Sequence, residues 1–257
     1  MPKLDSNYFV MVVLILFIGL WYLSLFSQTF FHHRYASHRA FTMNRFWERV
    51  FYLFSYLTQG ASYISPRAYA IMHRMHHAYT DTENDPHSPK YFSNVFSMMW
   101  HTHKVYSGIY NGTLEPERRF LKNLPQWQAL DDLGESYLSR ILWIVLYVSV
   151  FVLFTQSPWL YLLLPFVIVM GPMHGAIINW FAHKYGTINF KQKNTSRNLL
   201  PIDFLMLGEA YHNDHHHAPS RSNFGSRWYE IDPVYGVILL FHKLRIIRLS
   251  RQHVLND

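Results

Sequence analysis

The stretch YFVMVVLILFIGLWYLSLFSQTFF, residues 8–31, decides the fold. It holds 24 residues without a charge. At about 1.5 Å per residue, a helix of this length crosses a hydrocarbon core of roughly 30 Å. The stretch is too long for the core of a signal peptide, and no small-residue cleavage site follows it. The sequence therefore predicts a membrane-spanning helix.

Two further apolar stretches predict membrane helices, at residues 138–155 and 159–182. The polar residues and the proline at 155–158 indicate a turn between them. The segment 46–64 is aromatic-rich but contains Glu48, Arg49 and Gln59, and it predicts an interfacial or re-entrant helix. The fold class is all-α: one multi-pass membrane domain over residues 1–257, with about three spanning helices, an interfacial helix and a histidine-rich cap.

Charge distribution predicts on which side of the membrane the cap lies. Arg34, Arg39, Arg45 and Arg49 follow the first apolar stretch, the chain after Lys184 is rich in basic residues, and the turn at 155–158 has no charge. By the positive-inside rule, the histidine-rich regions are cytoplasmic. The segment 46–64 must then enter and leave on one side.

Composition limits the chemistry. Half of the residues are hydrophobic, 15% are charged and the net charge is +7. With such long apolar stretches, this positive charge favours an anionic membrane surface or an anionic substrate over nucleic acid. The absence of cysteine excludes disulfides, thiolate metal sites, iron–sulfur clusters and cysteine nucleophiles. The 17 histidines leave imidazole as the available ligand for a transition metal.

Histidines and one asparagine form four clusters. They are His33 with His38, His73 with His76 and His77, Asn179 with His183, and His212 with His215 and His216. Residues three or four apart share a helix face, so the last three clusters can each converge on one point. His33 and His38 are five apart and would diverge on an ideal helix, so a helix end or bound metals must reconcile them. Asp85 and His87 are candidates to orient a ligand histidine through a hydrogen bond to its ring nitrogen on the side away from the metal.

A single histidine in a membrane protein usually has a structural role and binds no metal. Four clusters near a lipid interface would be costly without a function. They predict a site for one or more metal ions.

These motifs resemble the membrane fatty acid desaturase family, in its acyl-CoA (stearoyl-CoA desaturase-like) branch. The resemblance covers residues 20–245 and lies in HRYASHR at 33–39, HRMHH at 73–77, DPH at 85–87, AHKYG at 182–186 and GEAYHNDHH at 208–216. One departure is visible: the family commonly has two membrane helices before the first histidine pair, and this chain has room for one.

The resemblance implies an O₂-dependent enzyme with two iron ions. The implied ligands are His33, His38, His73, His76, His77, His183, His212, His215 and His216, with Asn179 acting through a water. An unactivated C–H bond offers no acidity to a side-chain base, so a redox metal must carry the reaction. Electrons must come from an external donor, such as ferredoxin or cytochrome b5 with its reductase.

The expected substrate is a fatty acyl chain, attached to coenzyme A or to a phospholipid, in an apolar tunnel among the membrane helices. Its head group would lie at the cytoplasmic surface. Candidate phosphate contacts there are Lys90, Lys104, Arg118, Arg119, Lys191, Lys193 and Arg197. Basic residues next to a membrane more commonly contact anionic lipid. The residues that contact substrate therefore stay unassigned.

Two alternatives remain open from the sequence. A lipid or alkane hydroxylase can carry the same histidine clusters and insert oxygen instead of removing hydrogen. A non-enzymatic metal carrier is a different class, but its ligands would line a path across the membrane, whereas these clusters lie at helix ends on one side.

Overall fold

A computed structural model describes residues 6–155 and 157–249 of the chain. These residues are mostly helical. The one sheet in the described part pairs β1 (Thr42–Met43) antiparallel with β2 (Ile247–Arg248). The helices are α1 (Ser6–Phe26), α2 (Arg45–Gln59), α3 (Pro66–Tyr79), α4 (Val95–Tyr110), α5 (Gln128–Glu135), α6 (Tyr137–Phe154), α7 (Leu164–Ile168), α8 (Met170–Ala176), α9 (His212–His217) and α10 (Pro233–Lys243), with π-helices at Ser27–Ser37 and Ile177–Phe181.

In the part of the chain that the structure describes, two helices are long and apolar enough to cross a membrane, Val10–Ser37 and Tyr137–Phe154. They overlap almost completely with the stretches predicted at 8–31 and 138–155, so the prediction of apolar helices there is confirmed. Much of their apolar surface faces outward: Ile15 is 60% exposed and Val152 is also 60% exposed. That exposure fits lipid as the surrounding medium.

The helix predicted at 159–182 is not one straight helix. Pro158–Ile168 and Met170–Phe181 meet at an angle of 71°, and the break falls at Val169. Pro172 has no N–H to donate to the carbonyl of Ile168, so the regular helical hydrogen bond cannot form there. The pair counts as a third span only if both pieces belong to one crossing.

The first histidine pair lies on a π-helix, which the sequence analysis did not foresee. In Ser27–Ser37, hydrogen bonds join residues five apart, and the His38 N–H continues the pattern to the His33 carbonyl (3.2 Å). The rings of His33 and His38 therefore approach each other, with centroids 5.1 Å apart. The divergence expected for an ideal α-helix is removed by this winding, together with the helix end at Ser37.

Helix α2 corresponds to the segment predicted at 46–64. Its 15 residues span about 22 Å, which is short for a crossing. Phe46, Val50, Leu53 and Leu57 form an exposed apolar stripe, at the spacing of one helix face. The opposite face packs on the protein through buried side chains such as Tyr52.

A buried ion pair joins the end of the first span to the C-terminal part of the chain. Arg34 Nη2 donates to Asp232 Oδ2 at 2.6 Å, and both side chains are fully buried. Asp232 also accepts from the backbone N–H groups of Phe224 and Tyr235, and the Arg34 guanidinium lies 3.9 Å from the Phe224 ring centroid. This pair fixes the first π-helix against the segment that follows α9.

We expect Asp232→Ala to destabilise the protein by about 3–5 kcal/mol, because it leaves the Arg34 charge buried without its partner. The matched control is Glu117→Ala, which removes an exposed ion pair with Arg119 and should cost about 0–1 kcal/mol. Thermal unfolding in detergent compares the two. Equal shifts of the midpoint would contradict this account of the buried pair.

Candidate metal centre

All nine predicted histidines lie in two adjoining groups. The first group is His33, His38, His73, His77 and His215; the second is His76, His183, His212 and His216. Within each group, the candidate ligand nitrogens lie within 4.8 Å of one another. The structure thus brings together residues separated by up to 183 positions in the chain.

Two helices divide their histidines between the groups. Helix α3 directs His73 and His77, four residues apart, to the first group and His76 to the second. Helix α9 directs His212 and His216 to the second group and His215 to the first. The groups are in contact, because the rings of His77 and His216 stack with centroids 4.4 Å apart.

In the first group, the Nε2 atoms form a chain of close contacts. His38 and His73 are 2.8 Å apart, His73 and His77 3.0 Å, His77 and His215 3.0 Å, and His215 and His33 2.9 Å. The second group repeats this arrangement. Its Nε2 contacts are His76 to His216 (3.1 Å), His216 to His212 (3.1 Å) and His212 to His183 (3.0 Å).

Carboxylates behind two rings determine which nitrogen faces the centre. His33 Nδ1 donates to Glu209 (2.7 Å), and His76 Nδ1 donates to Asp85 (2.8 Å). A neutral imidazole protonated at Nδ1 presents its lone pair at Nε2, so both rings aim an acceptor inward. Asp85 was predicted for this position. Glu209 was missed, although it belongs to the GEAYHNDHH string and lies three positions before His212.

The other predicted residues lie close by. His87 is buried with its ring centroid 4.3 Å from that of His76, and neither ring nitrogen has a hydrogen-bond partner among the described residues. Asn179 is half-buried on the second π-helix and lines the same cavity as His212. His183 Nδ1 contacts the Thr195 hydroxyl at 3.1 Å.

Burial favours the neutral form of seven of these rings. Burial, reinforced by neighbouring imidazoles, lowers the pKa well below 6.5 for six of them outside the spans: His38, His73, His77, His212, His215 and His216. Burial likewise lowers the pKa of His76 well below 6.5. Neutral imidazole is the form that binds a metal.

The donor set fits metal ions. Lone pairs of neutral rings repel one another at these separations unless a proton or a cation lies between them. Two nitrogens bound at right angles to one ion, with bonds of about 2.1 Å, would be about 3 Å apart. The observed contacts of 2.8–3.1 Å match this value. The all-nitrogen set suits iron, zinc, copper or nickel.

A cavity of about 300 Å³ adjoins both groups. His33, His73 and His212 line it on the metal side, and apolar side chains such as Leu25, Ile64 and Ile178 line it elsewhere. Apolar surface makes up most of its wall. None of the seven basic residues proposed as phosphate contacts is among the described residues that line this cavity.

Helices apolar enough to span a membrane, two groups of histidines that could hold metal ions and an apolar cavity beside them fit the class of histidine-rich membrane proteins. The family model for fatty acid desaturase matches residues 7–241. The chain belongs to the fatty acid desaturase family and is an oxidoreductase of that family, as the resemblance predicted.

Similarity to individual proteins supports the same family. The chain is 30% identical to the Delta-9 desaturase-like 5 protein of Arabidopsis thaliana, over 88% of this chain and 72% of the relative. It is 26% identical to the Hex-5-enoyl-[acyl-carrier protein] acetylenase of Moorena producens (strain JHB), over 90% and 74%. It is 28% identical to the Acyl-CoA 5-desaturase AL21 of Anemone leveillei, over 86% and 65%.

We expect Glu209→Gln to weaken metal binding by about 10–100-fold, because the amide no longer fixes the His33 tautomer as the carboxylate does. Titration of chelator-treated protein with ferrous iron, read by calorimetry, measures the change. The control is Glu230→Gln, a buried carboxylate that contacts Asn189 and Asn198 and none of the nine histidines in the described structure. Unchanged affinity in Glu209→Gln would contradict the orienting role.

Acid should destabilise the metal-free protein. The folded state favours the neutral form of the seven histidines whose pKa is lowered by burial, such as His73 and His212. An unfolded chain protonates the same histidines below about pH 6.5. Their contribution to the free energy of unfolding is therefore fully present above pH 6.5 and decreases as the pH falls, by up to about 1.4 kcal/mol per unit for each ring. Unfolding midpoints at pH 7.5, 6.0 and 5.0 measure this. A midpoint that does not fall toward pH 5.0 would contradict it.

Proposed function

We propose that the protein is an O₂-dependent fatty acyl desaturase that uses a di-iron centre to introduce a double bond into an acyl chain. The observation that carries this proposal is the position of two all-histidine groups at the wall of an apolar cavity. Membership of the fatty acid desaturase family supports it independently.

In this proposal each group holds one iron ion. His33, His38, His73, His77 and His215 hold the first, and His76, His183, His212 and His216 hold the second, with Asn179 contributing through a water. The iron pair supplies the reduction of O₂ that removal of hydrogen from an unactivated carbon requires. Overall, two neighbouring CH₂ groups, O₂, two electrons and two protons give one double bond and two water molecules.

The side chains of this protein hold the ions and position the substrate. Glu209 and Asp85 keep the inward nitrogens of His33 and His76 unprotonated through their hydrogen bonds. The cavity wall of Leu25, Ile64 and Ile178 binds an acyl chain beside the centre and excludes water from it. Held there, the reacting carbons need little further ordering.

The proposed orientation places the histidine groups on the cytoplasmic side. It has three spans, the bent pair being the third, and α2 lies in the interface with its apolar stripe toward lipid. Arg39, Arg45 and Arg49 then face the cytoplasm, as the positive-inside rule requires. An external electron donor, ferredoxin or cytochrome b5 with its reductase, docks on this side.

The substrate is proposed to be a fatty acyl chain on coenzyme A or a phospholipid. The name of one relative, Acyl-CoA 5-desaturase, supports coenzyme A as the carrier of the acyl chain. The name of another relative, Delta-9 acyl-lipid desaturase 2 of Arabidopsis thaliana, which is 28% identical, supports a lipid as the carrier.

Lipid analysis of a host that expresses the chain tests the function. We expect a new unsaturated fatty acid from the intact protein, detected by gas chromatography with mass detection, and none from the His76→Ala, His77→Ala variant. The control is His217→Ala. His217 adjoins the α9 histidines, but its ring stacks on Phe190 and lies in neither metal group, so this variant should keep its product.

A hydroxy fatty acid in place of the unsaturated product would move the chain to the hydroxylases. Absence of both products, with iron bound and an electron donor present, would contradict acyl oxidation altogether.

A further inference from the structure

An apolar loop beside the metal centre faces outward. In residues 201–206, Ile202, Phe204 and Leu205 are 52%, 55% and 56% exposed. Met206 points the other way and is buried against Leu25 and Ile178. Three large apolar side chains exposed within four positions form an apolar patch. On a surface in contact with water, such a patch favours aggregation.

The loop lies alongside the first span and not above it. The Trp21 indole N–H donates to the Leu205 carbonyl at 3.2 Å. Trp21 lies five residues before α1 ends at Phe26, which places it about 7.5 Å below that end at 1.5 Å per residue. Leu23, on the same helix, is 46% exposed. The loop backbone therefore contacts the first span, and the exposed surface of that span is apolar.

Asp203 supplies internal hydrogen bonds to the loop and to the backbone that follows it. Asp203 is fully buried and accepts from the backbone N–H groups of Met206 (2.7 Å), Gly208 (2.9 Å) and Ala210 (2.9 Å). The N–H of Asp203 donates to the Tyr211 hydroxyl at 2.9 Å. In lipid, no water replaces missing hydrogen bonds, so irregular backbone needs internal partners of this kind.

The region where the third span ends has a similar composition. Phe181 and Tyr185 are 41% and 59% exposed, and the Lys184 ammonium lies 3.5 Å from the Trp180 ring centroid. Aromatic and basic residues of this kind are typical of the membrane–water interface. Because Ile177 and Ile178 in this span pack with Met206 and Leu207, the loop and the interface residues share one side of the protein.

We propose that the loop 201–205 inserts into the boundary between lipid head groups and acyl chains of the cytoplasmic leaflet. Its occupant is lipid: the side chains of Ile202, Phe204 and Leu205 replace contact with water by contact with acyl chains, at a depth of about 5–10 Å. The loop leads directly into Glu209 and His212, so its insertion fixes the height of the metal centre above the membrane. The inference rests on the membrane orientation given under Proposed function.

Spin labelling tests this on the full chain, because the native sequence has no cysteine to interfere. Single cysteines replace Ile202, Phe204 or Leu205, carry a nitroxide, and are measured in phosphatidylcholine–phosphatidylglycerol nanodiscs after desaturase activity has been checked. Collisions with O₂ report lipid, and collisions with a nickel chelate report water. Leu16→Cys on the first span is the lipid control, and Glu83→Cys on an exposed turn is the water control.

We expect the loop labels to behave like Leu16→Cys, with a ratio of O₂ to nickel collisions severalfold above that of Glu83→Cys. Loop labels that match Glu83→Cys, while Leu16→Cys reports lipid and activity persists, would overturn the insertion alone. Loop labels that are water-exposed until an added electron donor protein shields them would assign the patch to a protein partner and also overturn it. A water-exposed Leu16→Cys would overturn the orientation itself.

Discussion

The structure depends on one electrostatic constraint: nine imidazoles converge in two groups in which seven of the rings are buried. In water each ring would be solvated separately. Here the Nε2 atoms approach to about 3 Å, and burial lowers the pKa of rings such as His73 and His212 well below 6.5. Neutral lone pairs at this distance are stable together only around protons or cations. The surrounding fold can therefore be understood as the scaffold that a metal site of this composition needs.

Each part of that scaffold has a physical role in the convergence. The π-helix Ser27–Ser37 turns His33 and His38 toward the same point, which an α-helix would not do. A second π-helix, Ile177–Phe181, carries Asn179 and precedes His183. Both lie where an apolar helix reaches the histidine groups, and wider winding at functional sites is a recurrent use of such helices. The buried ion pair between Arg34 and Asp232 holds the π-helix Ser27–Ser37 against the C-terminal segment.

The sequence predicted the site better than the path of the chain. His73, His76 and His77, like His212, His215 and His216, follow helical spacing, which is a local property and therefore readable. Asn179 and His183 follow the same spacing rule, and the family resemblance supplied the expected role of each residue as an iron ligand. The π-helical winding was not predictable, because it depends on packing against α2 and α3. The kink at Val169 was missed although Pro172 signals it, since apolar composition alone suggested a continuous helix. Glu209 acts on His33 across 176 positions, a contact that no local pattern reveals.

Iron per chain is the measurement that tests the central claim most directly. Purified protein reconstituted with ferrous iron should contain two iron atoms per chain by mass spectrometry. Replacing His38 and His73 by alanine should empty the first group, and replacing His183 and His212 should empty the second, each leaving one iron. One iron atom in the intact protein, or loss of all iron from both variants with the fold retained, would contradict two separate histidine-held ions.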